Sequence, residues 1–257
     1  MHKAVKTAVA GVAAAIISMS AANAAEPLVD AKMIPGEFSA NVGIWSEYYF
    51  RGISQTDDAP ALQGGFDWSA KLDEKMGLGI YFGTWGSNVD FNEAAGIDGA
   101  TLELDVYGGL TGEIGSTGIG WDVGFIQYLY PGAAGSLNYD FLEGKLALSY
   151  DFGFVAATAS VNYSGNYYGA SGESWYPKLA LEAPVGKYLT VTAMIAKQYV
   201  EKNAVFLFPD YTEYGLGASV NIAGFDVGVT WSDTSMSNTQ CPEACGGKVL
   251  FNVSRSF

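Results

Sequence analysis

The strongest constraint in this chain is a two-residue period that recurs, run after run, from Phe38 to Phe257. Within each run the apolar side chains fall on one parity and the polar ones on the other, which marks an extended strand with two unlike faces. The last run shows it plainly. Val249, Phe251, Val253 and Phe257 share one face, and Asn252, Ser254 and Ser256 share the other. No window after the N-terminus offers the roughly eighteen apolar residues in a row that a transmembrane helix needs.

Twelve such runs follow one another. The first sets Phe38, Ala40, Val42, Ile44, Tyr48 and Phe50 against Ser39, Asn41, Glu47 and Arg51. The second opposes Leu62, Phe66 and Trp68 to Gln63, Asp67, Ser69 and Lys71, and the third begins at Met76. Later runs repeat the scheme: Leu102, Leu104 and Val106 against Glu103 and Asp105; Trp121, Val123 and Phe125 against Asp122; Leu142, Leu146 and Leu148 against Glu143 and Lys145. Pro177 is a blemish in the eighth run, because proline removes a ladder hydrogen bond. The runs are mostly about ten residues long, the length a tilted strand needs to cross a bilayer. Long connections follow the odd-numbered runs and most of the even-numbered ones are short. An even strand count with that alternation predicts an all-β, antiparallel transmembrane barrel of about 12 strands, with both termini periplasmic and the long loops outside.

The N-terminus reads differently. Lys3 and Lys6 precede an apolar stretch from Ala8 to Ile17, and Ala22-Asn23-Ala24 supplies small residues at a cleavage site. Residues 1–24 are therefore expected to be a secretory signal peptide, cut after Ala24. Residues 25–37, with Pro27, Pro35 and Gly36, read as a periplasmic lead-in, and 38–257 as the barrel domain. Of the 13 Lys and Arg residues, two lie in the leader, which leaves 11 basic against 27 acidic residues. That balance argues against nucleic acid as a partner. His2 is the only histidine and leaves with the leader. This removes His-dependent nucleophilic catalysis and His-ligated metal, and no cofactor is expected.

Parity alone does not say which face points inward. A soluble barrel would bury the apolar face. A twelve-stranded barrel, however, is wider than side chains fill, eight strands being about the filled case. Aromatic residues also gather near run ends, at Tyr48, Phe50, Tyr128, Tyr130, Trp175, Tyr199, Trp231 and Phe257, as interfacial girdles would. The apolar face is thus expected to meet lipid. Arg255 lies on that face close enough to the end to snorkel.

The stretch Tyr49-Phe50-Arg51-Gly52-Ile53-Ser54-Gln55-Thr56-Asp57, then Pro60 and Gln63-Gly64-Gly65-Phe66-Asp67, is more specific. With Gly83-Thr84-Trp85-Gly86-Ser87-Asn88-Val89-Asp90-Phe91, it resembles the TorF porin family of bacterial proteins, whose role is unassigned. The resemblance is strongest over residues 38–91 and implies an outer-membrane location. The terminal run likewise resembles the strand by which outer-membrane barrels are recognised, with Phe251, Val253 and Phe257 as the assembly signal.

With the polar face inward, the candidate pore-lining residues are Glu47, Arg51, Asp67, Lys71, Glu103, Asp105, Asp122, Glu143, Lys145, Lys178, Glu182, Glu213 and Asp226. Nine are acids and four are bases. They fit a cation-leaning pore, and equally a set of cross-strand pairs that partly plugs the lumen. Cys241 and Cys245 are expected to form a disulfide in an oxidising compartment. The acidic loops, Ser54 to Asp58 and Asp90, Glu93 and Asp98, are expected to be solvated. The function that follows is an outer-membrane channel for passive diffusion of small hydrophilic solutes; the alternative is a non-conducting structural or surface-binding barrel. The expected partners are outer-membrane lipid and lipopolysaccharide, the barrel-assembly machinery through the C-terminal strand, and the diffusing solutes.

Overall fold

A computed structural model describes residues 35–73, 77–91, 97, 99–241 and 244–257. The expected signal peptide, most of the lead-in, Met76, Glu93 and Asp98 lie outside the described residues. Twelve strands close into one antiparallel barrel. In chain order they are β1 (Glu37–Trp45), β4 (Ala61–Asp73), β5 (Leu78–Asn88), β6 (Leu102–Glu113), β7 (Gly120–Leu129), β8 (Phe141–Asp151), β9 (Ala156–Ser164), β10 (Ser174–Val185), β11 (Leu189–Val200), β12 (Tyr211–Ile222), β13 (Phe225–Thr234) and β14 (Lys248–Ser256). Two short strands, β2 (Tyr49–Phe50) and β3 (Ile53–Ser54), pair only with each other. The barrel is closed by β1 and β14, in register from Asn41 opposite Ser256 to Trp45 opposite Asn252.

The registers carry one face around the whole wall. Ala40 lies opposite Phe66, Phe66 opposite Thr84, Thr84 opposite Val106, and Val106 opposite Gln127. On the other side Leu216 meets Trp231, and Trp231 meets Val249. Because neighbours in a ladder share a face, every apolar parity in the sequence lands on the outside. Phe66, Leu216, Trp231, Phe251 and Phe257 are all exposed there. At the lipid-parity positions of the twelve strands the charged residues are Lys197, Asp233, Arg255 and, past the register shift at the end of β4, Asp73 opposite Leu78. Lys197 lies over the Tyr199 ring, and Arg255 lies between the rings of Phe225 and Phe257. A wide belt of bare apolar side chains on a closed sheet is stable only where the surrounding solvent is hydrocarbon.

One end of the barrel carries the long connections, 46–60, 89–101, 130–140, 165–173, 201–210 and 235–247. The other carries short ones, the tightest being Ala223–Gly224, both with positive φ (54° and 85°), as a two-residue hairpin requires. Pro177 stays within β10: its pairing to β9 is continuous, while the paired positions toward β11 skip Tyr176 and Pro177.

The first strand departs from expectation. It leaves the wall after Trp45 instead of running to Phe50, and residues 46–60 fold back into the barrel, with β2 and β3 as a hairpin inside it. Tyr48 and Phe50 therefore do not face lipid. Their alternation continues the pattern of β1, but no wall strand pairs with them. Tyr128 and Tyr130 are also not girdle residues. Both are buried, and both share the parity of Asp122, which faces the lumen. Trp175, Tyr199, Trp231 and Phe257 do lie on the outer surface.

Candidate pore and its hairpin plug

The lumen changes character along its length. Toward the short-turn end, the inward-facing Lys71 and Glu182 are exposed, and Asp67, Lys178 and Asp226 are half-buried. Asp226 accepts a bond from Asn221 Nδ2 (2.8 Å). Higher up, side chains engage one another. Tyr107 donates to Asp67 (2.5 Å), and Asp122 accepts from Tyr81 (2.9 Å) and Lys145 (2.8 Å). Gly83 makes room for the first of these contacts, since a Cβ there would strike the Tyr107 ring and the Asp67 carboxylate.

Nearer the long loops the interior is filled. Glu103, Glu143, Gln198 and Tyr211 are each no more than 2% exposed. The rings of Tyr107, Tyr128, Tyr130, Phe141, Tyr167, Phe206 and Tyr211 form one buried cluster there. The hairpin of residues 46–60 is the centre of this plug. Its tip is a two-residue turn, Arg51 and Gly52, with φ of 51° and 76°. Left-handed backbone is free for glycine but costs a long L-residue of order 1 kcal/mol. The position is held because the Arg51 side chain reaches the far wall.

There, Arg51 Nη2 donates to both oxygens of Glu143 (2.7 and 2.6 Å), and Nη1 donates to Gln198 Oε1 (2.9 Å). The guanidinium lies 4.1 Å from the Tyr176 ring centre and 4.8 Å from that of Phe50. Glu143 also accepts from Asn162 (3.0 Å), and the Arg51 carbonyl accepts from Tyr211 (2.9 Å). Burial pulls the Arg51 pKa down, but the Glu143 carboxylate together with the surrounding Tyr167, Tyr128 and Tyr176 outweighs it, so the group is held well above its ordinary range and stays charged.

The rest of the hairpin is tied down as well. Tyr48 donates to Glu103 (2.7 Å), which also accepts from Tyr130 (2.9 Å). Glu47 accepts from Ser54 Oγ and from the Asp58 amide, and Lys248 bridges to Asp58 and Glu47. Cys241 and Cys245 form a disulfide, and between them the Ala244 carbonyl accepts the Ser54 amide (2.8 Å). Glu213 accepts from Tyr176. One oxygen of Asp105 is buried with no hydrogen-bond partner among the described residues.

The thirteen sequence-predicted residues thus divide. Eleven stand on the wall and turn inward, while Glu47 and Arg51 reach the lumen on the hairpin instead. The structure adds Gln198, Tyr176, Tyr167 and Tyr211 around Arg51. Parity alone would have offered Gln198, which shares the face of Thr190 and Thr192.

Fold and site together define a twelve-stranded outer-membrane-type β-barrel with a polar lumen and an inward-folded hairpin. Solved structures share that fold. The "KdgM porin" aligns with a TM-score of 0.52 at 7% identity, over 85% of this chain and 98% of that one. An outer membrane channel from Pseudomonas putida F1 aligns at 0.51 with 10% identity, over 87% and 96%. The "NanC porin" aligns at 0.52 with 7% identity, over 85% and 98%. No curated protein matches the sequence. Residues 30–257 match the family described as "Bacterial protein of unknown function (Gcw_chp)", and the chain belongs to that family.

Proposed function

We propose that this protein is a porin-like outer-membrane channel through which small hydrophilic solutes diffuse, restricted by its hairpin of residues 46–60. The observation that carries the reading is the contrast between the two faces of one closed sheet. Outside is a nearly uncharged apolar belt; inside are the thirteen charged candidates, nine of them acidic. A polar interior in a lipid-embedded barrel is a water path, and its excess of acids favours cations. In this reading the long loops face the exterior, both termini lie in the periplasm, and residues 1–24 direct export. Lipid and lipopolysaccharide surround the belt, and β14 is the strand presented to the assembly machinery. The role is passage without catalysis.

A specific observation favours a second reading. The burial of Glu143, Gln198 and Tyr211 beneath the hairpin fits a barrel that stays shut and serves as a structural or surface-binding protein. Liposome swelling separates the two. Vesicles carrying the protein should swell in small sugars or amino acids faster than empty vesicles; equal rates would reject the channel.

A further inference from the structure

The chamber that holds Arg51 has the chemistry of a ligand site. Its acceptors and rings come from the wall and the loop above it: Glu143 on β8, Gln198 on β11, Tyr176 on β10 and Tyr167 in the 165–173 loop. The hairpin supplies the guanidinium, with the Phe50 ring beside it at 4.8 Å, at the end of a turn whose backbone is strained to deliver it. A carboxylate, an amide oxygen and aromatic faces at 4.1 and 5.6 Å are the elements by which proteins recognise a planar cation. A second acid waits under the same hairpin. Asp105 lies opposite Trp85 and Tyr128 in the ladders, and Tyr48 and Phe50 of the hairpin pack edge-on against those two rings. With the hairpin in place, one Asp105 oxygen has no hydrogen-bond partner among the described residues, which biases the hairpin toward release.

We propose that this cradle is a binding site for small guanidinium- or amine-bearing solutes, and that Arg51 is its tethered occupant, displaced when such a solute arrives. The hairpin then acts as a plug whose removal is coupled to the class of solute that the acidic lumen attracts. This deepens the channel reading by naming its solute class, but binding and displacement do not require conduction.

The test uses the full chain in detergent, with folding checked by heat-modifiable migration on gels. Methylguanidinium is titrated calorimetrically into Arg51→Ala, and into Arg51→Ala combined with Glu143→Gln. The single variant should show saturable binding at one site, weakened about tenfold or more in the double variant. In the wild-type protein, methylguanidinium should speed deuterium exchange at the Ser54 and Gln55 amides relative to sodium chloride of equal ionic strength. Absence of saturable binding by the folded single variant, equal binding by both variants, or unchanged wild-type exchange would each overturn the proposal. None of these readouts depends on current, so a barrel that fails to swell liposomes would defeat the channel and leave this result to stand or fall separately.

Discussion

Arg51→Ala is the perturbation whose size follows most directly from the structure. It strips Glu143, which is wholly buried, of its charged partner and leaves Asn162 and a longer contact from Tyr128 as donors. Removing one partner of a buried ion pair costs about 3–5 kcal/mol, because the remaining charge is left uncompensated. The bond to Gln198 and the stacking on Tyr176 are lost with it. If the cost falls on the plugged state, the ratio of plugged to released hairpin should fall by a factor on the order of 10²–10⁴. Deuterium exchange reads this at the Ser54 amide, which donates to Ala244, and at the Gln55 amide, which donates to Tyr48. Wall amides of β13 and β14 should keep their protection. Arg51→Lys should fall between, since it keeps the charge but cannot reach Glu143 and Gln198 together. Protection at Ser54 and Gln55 within twofold of wild type would refute the view that Arg51 holds the hairpin in.

Two further outcomes follow from the wall. Phe66→Arg places a charge in the outer belt and should cost about 2–4 kcal/mol in a reversible bilayer-folding titration, whereas Thr158→Arg, on the lumen side, should cost much less; equal costs would invert the assignment of faces. Gly83→Ala should destabilise by about 1–3 kcal/mol, because the Tyr107–Asp67 contact occupies the space its methyl needs, and unchanged denaturation would show that pair to be mobile.

How much of this could be read from the chain depends on the range of the interaction. Which residues face out is a local property: side chains alternate along a strand, and the ladder transmits the alternation unchanged, so Phe66, Leu216 and Phe251 were legible one run at a time. Tyr128 and Tyr130 were legible too, through their parity with Asp122, but aromatic placement at a run end pointed the other way. The hairpin was hidden for a different reason. Tyr48 and Phe50 keep the rhythm of β1, and the information that ends the strand lies far off, in Glu143, Gln198 and Tyr211, 92 to 160 residues away from Arg51. Local period describes a wall well; it does not describe what folds into the space the wall encloses.

Single-channel recording across a planar bilayer under a salt gradient decides whether the lumen is an aqueous, acidic path stoppered by an arginine-bearing hairpin. The wild-type protein should carry small, cation-favouring currents, and Arg51→Ala larger currents of the same selectivity. Membranes that stay sealed with both proteins, or an anion-favouring reversal potential, would contradict this picture of the lumen.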